Sequence, residues 1–144
     1  MILAFETIFS KSISTNLLCR TYFITTENKM QVREFDEPAY ETIGKTVGGW
    51  IEVVHPKLLP APYCMIVNEE GRLLDLPLNY VGSYFYGTDQ HGEPIVGNIV
   101  IMKDGYRGGE PDIVGLNDVE AEQIKDVIID LIEPLHQQPK GEST

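Results

Sequence analysis

At 144 residues the chain is long enough for one domain whose core needs neither disulfide nor metal. Its 42% hydrophobic and 23% charged residues are ordinary, but 22 acidic against 11 basic residues leave a formal net charge of −11. That balance excludes phosphate-backbone binding and anionic membrane docking as leading roles, since both rest on lysine and arginine.

No apolar run approaches the ~20 residues of a membrane span. The start carries Glu6 and no basic segment, so it reads as a poor signal peptide, and a cytoplasmic protein is expected. Cys19 and Cys64 lie in apolar surroundings and read as buried, reduced thiols.

Residues 1–20 hold neither a helical nor a strand period and read as an N-terminal extension: a mobile arm, a short extra helix or an upstream translated segment. Residues 21–26 (TYFITT) are aromatic and β-branched, residues 27–29 are turn-forming, and 30–35 alternate as a return strand. Asp36, Glu37 and Pro38 then open a helix over about 37–47, with Tyr40, Ile43, Thr46 and Val47 on its apolar face. Gly48 and Gly49 end it. Residues 50–55 form the third strand, with Ile51 and Val53 on one face and Trp50, Glu52 and Val54 on the other.

Pro56, Pro60 and Pro62 stiffen the next connection. Residues 63–67 form a strand, Asn68 to Gly71 a hairpin turn, and 72–74 its returning strand. Pro77 takes the chain out of the sheet. Residues 80–87 are a loop or short helix, and 89–92 a polar turn. Residues 95–102 are the most hydrophobic strand and should be central, ended by 103–105. The glycine-rich stretch 106–112 reads as a loop. Asn117 and Glu120 have the spacing of a capping box. They open a helix over about 118–133, with Val119, Ile124, Val127, Ile128, Leu131 and Ile132 as core stripe and an end near Pro134. The expected fold is α+β, a small mainly antiparallel sheet with two main helices. One domain spans 21–136, and residues 137–144 form a disordered tail.

Several motifs dissolve on inspection. Gly44, Lys45 and Thr46 lack the upstream glycine of a phosphate loop, because position 39 is alanine, and they end a helix instead of starting one. Asp89, His91 and Glu93 cluster, but His55 and His136 stand alone in sequence, so no metal site and no cofactor is expected. Glu69, Glu70 and Asp75 read as solvated turn acids. Glu52, among large apolar residues, needs a partner. Tyr106 and Arg107 before two glycines suit a loop closing over a small anion.

The order of Val47, Gly48 and Gly49, then Ile51, Glu52 and Val53, then Asn68 to Gly71, Leu76 to Asn79, and Gly97 resembles a small phage- and plasmid-borne bacterial family, domain of unknown function 3846. The likeness covers about residues 21–132. Residues 80–94 and 103–115 are fuller than in the family's shorter members. The family name carries no activity, so the resemblance implies context more than chemistry: an accessory phage protein that counters host defence.

The leading expectation is a non-enzymatic sponge that binds a small nucleotide-derived immune signal through Trp50, Glu52, Asn68, Asn79, Tyr84, Tyr106 and Arg107. Aromatics would stack a base and Arg107 would meet phosphate. Such a pocket can also form between subunits of a homo-oligomer. The alternatives are an acidic inhibitor of a host defence protein, imitating nucleic acid, and a small hydrolase using Glu52 with Asn68 or Asn79.

Overall fold

The most hydrophobic strand of the sequence lies in the middle of the sheet. The structure, a computed structural model, describes residues 18–88 and 92–143, with side chains as far as Leu131 in the last helix. Its elements in chain order are β1 (Leu18–Ile24), β2 (Met30–Asp36), α1 (Tyr40–Val47), β3 (Ile51–Val54), β4 (Tyr63–Asn68), α2 (Tyr80–Tyr86), β5 (Ile99–Arg107), β6 (Glu110–Val114) and α3 (Asp118–Ser143). The strands form one antiparallel sheet in the order β2-β1-β5-β4-β3, with β6 also paired to β5. Lys103 pairs with both Tyr63 of β4 and Val114 of β6, so β6 continues the β1 side of β5.

Ile99, Val100 and Ile101 are fully buried because both faces of the sheet are covered. At about 1.5–3 kcal/mol for each buried aliphatic side chain, these three stabilise the fold by roughly 5–9 kcal/mol. On one face, Ile99 and Ile101 join Tyr22, Ile24, Met65 and Val67 beneath Val81 and Phe85 of α2 and Ala121, Ile124 and Ile128 of α3. On the other, Val100 and Met102 join Cys19, Phe23, Cys64 and Ile66 beneath Ala39, Ile43 and Val47 at α1. Arg33 lies over the Phe23 and Phe35 rings, 5.1 and 5.3 Å from their centroids, and shields the β1–β2 end of that face.

Two buried asparagines hold the connections. Asn79 caps α2 by accepting from Gly82 N (2.9 Å), while its amide donates to Ile24 O (3.2 Å) and Gly97 O (2.9 Å). Asn68 donates to Val47 O (3.0 Å) at the end of α1 and accepts from Glu70 N (2.7 Å). Gly48, in the left-handed conformation at φ 97°, ends α1 by returning its amide to Gly44 O and Lys45 O. Asn117 and Glu120 exchange side-chain-to-amide bonds at 2.8 Å, completing the capping box of α3.

Several boundaries differ from expectation. β1 begins at Leu18, taking Leu18, Cys19 and Arg20 into the sheet opposite Asp36, Phe35 and Glu34; residues 1–17 of the expected extension lie outside the described residues. α1 starts at Tyr40, because β2 pairs through Asp36, and Glu37 bonds the Ala39 amide (3.1 Å) ahead of the helix. Residues 72–74 are not a return strand. They form turns, with Leu74 N bonded to Glu70 O, because both edges of β4 are already taken by β3 and β5. β5 starts at Ile99 and continues to Arg107, so 106–112 is not a loop. Gly108 and Gly109, at φ 59° and 82°, make the two-residue turn that leads into β6. Along α3 the buried positions are 121, 124 and 128, while Val119 and Val127 are exposed. Its backbone runs past Pro134 to Ser143. Residues 137–143 of the expected tail are described as backbone only, and Thr144 lies outside the described residues, as do 89–91 of the polar turn. No helix among the described residues is long and apolar enough to cross a membrane.

Two outcomes follow from the buried polar groups. Asn79→Ala removes a cap and strands two carbonyls, and should cost about 2–4 kcal/mol in urea unfolding. Asn79→Asp keeps the cap acceptor but sets a carboxylate against Ile24 O and Gly97 O, so it should cost more than the alanine. Glu120 is pushed up by burial, but the Lys103 bond (2.8 Å) and the Asn117 amide outweigh this and hold its carboxyl below the ordinary value. A lowered folded pKa gives stability that is complete above the unfolded value, about 4.5, and is lost as pH falls through the folded value. Acid titration of unfolding free energy should therefore show a decline below about pH 4.5 that is shallower in Glu120→Gln.

Candidate functional site

α1 is too short to cover its face of the sheet, and the uncovered part is a cleft of about 420 Å³. Its floor is Ile51 and Val53 of β3, Ile66 of β4 and Met102 of β5, and its α1 wall is Ala39, Tyr40 and Ile43. Strand alternation explains the floor: Val53 pairs with Ile66 and lies on the face opposite Glu52. One rim is charged. Arg107 donates through Nε to Asp112 (2.9 Å) and through a terminal nitrogen to Glu37 (3.2 Å). These bonds push the Arg107 pKa upward, the Asp112 bond most. With two carboxylates on one guanidinium, the rim carries a net negative charge. It suits a hydrogen-bond donor or a planar group better than a bare phosphate.

The seven residues singled out in the sequence do not converge. Arg107 reaches the cleft, but its guanidinium is already held by two carboxylates. Tyr106, 75% exposed, lines a shallow depression on the β5–β6 hairpin beside Asp104 and Asp112. Trp50, 71% exposed, borders a depression between α1 and β3 with Tyr40 and Lys45. Glu52 and Asn68 line a third hollow on the opposite face of β3, where Arg72 pairs with Glu93. Glu52 is exposed there. Tyr84 lies on α2, edge-on to Phe85 at 5.9 Å. The side-chain amides of Asn68 and Asn79 both bond backbone groups, and Asn68 shares its hollow with Glu52.

What the sequence reading missed is the cleft lining. Its signal was present in the alternation of Ile51 and Val53 and in a helix of only 8 residues above them. Also missed was a meeting of His55, Cys64 and Asp104, whose ligand atoms lie within 4.8 Å of one another. Both thiols are free and buried. Burial, with Asp104 adding to it, pushes the Cys64 thiol up to about 12. Burial, then Glu37, raises Cys19 to about 11 against a counteracting Arg107.

A family model described as domain of unknown function (DUF3846) matches residues 19–129. Among solved structures the chain is similar to the crystal structure of small RNA methyltransferase HEN1, at 13% identity and a TM-score of 0.52. The alignment covers 79% of this chain and 17% of that one, a likeness of fold alone. No curated protein matches.

The buried thiols make a simple test of this geometry. In native protein Ellman's reagent should find almost no reactive thiol over minutes, and two per chain after denaturation. A fast-reacting thiol in the native chain would contradict the burial of both.

Proposed function

The chain belongs to the family of domain of unknown function (DUF3846), and we propose that it is a binding module without chemistry of its own, which holds a small nucleotide-derived molecule in the cleft beside α1. The observation that carries this reading is the cleft itself. About 420 Å³ of mostly apolar space with one polar rim is the usual form of a small-molecule site. A nucleobase suits its chemistry. Its ring would lie over Ile51, Val53, Ile66 and Met102, and its amino or ring N–H groups would donate to Glu37 or Asp112. Phosphates would stay outside, because the rim is negative and the whole chain carries −11.

The setting we propose is a phage or other mobile element in a bacterial host cytoplasm. There, capture of a nucleotide-derived immune signal lowers its free concentration. The family resemblance supports that setting only as context.

A second reading rests on a different observation. Tyr40 and Trp50 are both exposed and both line the depression between α1 and β3. Exposed aromatics beside an acidic surface suit a protein partner with a basic face. This reading has the chain inhibit a host defence protein, in a complex that weakens steeply with salt.

Calorimetry of the full chain against nucleosides, cyclic dinucleotides and ADP-ribose derivatives tests the first reading. Binding should appear for at least one class, and the matching nucleoside should keep most of the affinity. Val53→Trp fills the cleft from a half-exposed position and should weaken binding at least tenfold with an unchanged melting temperature. No binding across the panel would sink it.

A further inference from the structure

Three side chains far apart in sequence meet on the cleft face of the sheet, outside the cleft lining. His55 follows β3 by one residue, where continuing the Val54–Met65 pairing sets it opposite Cys64. Cys64 pairs in turn with Met102 of β5, and Asp104 is the next residue on that face. The Asp104 amide donates to Pro62 O (2.8 Å), which holds the strand end in place. His55 Nε2 lies 3.0 Å from each carboxylate oxygen of Asp104. Cys64 closes the inner side and is fully buried.

We propose that His55, Cys64 and Asp104 form a zinc site, with solvent as the fourth ligand. One sulfur, one imidazole nitrogen and one carboxylate are the borderline-soft donor set that zinc takes. Donors around tetrahedral zinc lie about 3.3–3.8 Å apart, from Zn–S and Zn–N bonds of about 2.3 and 2.0 Å. The three donors here are within 4.8 Å of one another. His55 and Asp104 have half-exposed side chains that can turn to close the difference, while burial fixes Cys64. Cys64 coordinates as thiolate, so its proton leaves to solvent on binding.

Two other readings of the cluster fit less well. A Cys-His-Asp nucleophile needs an accessible sulfur and a free imidazole nitrogen facing it. Here the sulfur is enclosed and Nε2 is directed at the carboxylate. A plain His55–Asp104 ion pair accounts for two residues and leaves the convergence of the third without a role.

The test uses the full chain, stripped with a chelator and titrated with Co²⁺ in place of zinc. One equivalent should bind, giving tetrahedral d–d absorption and a thiolate-to-cobalt charge-transfer band, both abolished by added Zn²⁺. Cys64→Ser should remove the charge-transfer band. His55→Ala and Asp104→Asn change half-exposed side chains, so they report even if Cys64→Ser fails to fold. Each should weaken binding at least tenfold with an unchanged circular dichroism spectrum. The proposal is overturned by the absence of the band in the unaltered chain, by its survival in Cys64→Ser, or by undiminished affinity in both surface variants. None of these results bears on the cleft ligand, since the cleft lining contains none of the three residues.

Discussion

Burial of β5 on both faces is the constraint from which the rest of the molecule follows. The strand cannot expose Ile99, Val100, Ile101 or Met102 on either side, so each face of the sheet needs a cover. The chain supplies two unequal ones. α2 and the long α3 lie on one face, and the 8 residues of α1 on the other. Eight residues make a helix about 12 Å long and about 10 Å wide. Five strands at about 4.8 Å spacing set the outer strand axes about 19 Å apart. α1 therefore cannot span its face, and the shortfall lies over Ile51, Val53 and Ile66.

Buried amides join these layers where hydrophobic contact alone gives no direction. Asn79 links the end of β1, the approach to β5 and the start of α2 through one side chain. Asn68 does the same for α1 and β4. A buried amide that loses one partner leaves the others unsatisfied, so these two positions fix geometry as much as they add stability. Their polarity, which in sequence resembles that of a ligand site, is spent inside the protein.

Signals carried by neighbouring residues were legible. The capping box at Asn117 and Glu120, the helix stop at Gly48, the alternation through β3 and the central place of the strand around Val100 all come from local chemistry. Signals that depend on distant partners were not. Residues 72–74 have strand-like composition, yet both edges of β4 were already occupied. Gly108 and Gly109 weaken a strand reading of their surroundings until they are recognised as a two-residue turn. Arg107 looked like a free cation because its partner Glu37 lies 70 residues earlier. His55, Cys64 and Asp104 have no common spacing because three separate strands deliver them.

The Arg107 bridge has a consequence for exchange between the cleft and solvent. It ties the β5–β6 hairpin to the segment between β2 and α1, across the charged rim. Half of the Arg107 side-chain surface is open to water, while the Glu37 side chain it meets across the rim is mostly buried, at 16% exposed. Parting Arg107 from Glu37 would open the rim, while Asp112, on the same hairpin, keeps hold of Arg107. Such a change at the rim touches none of the buried residues of the two cores.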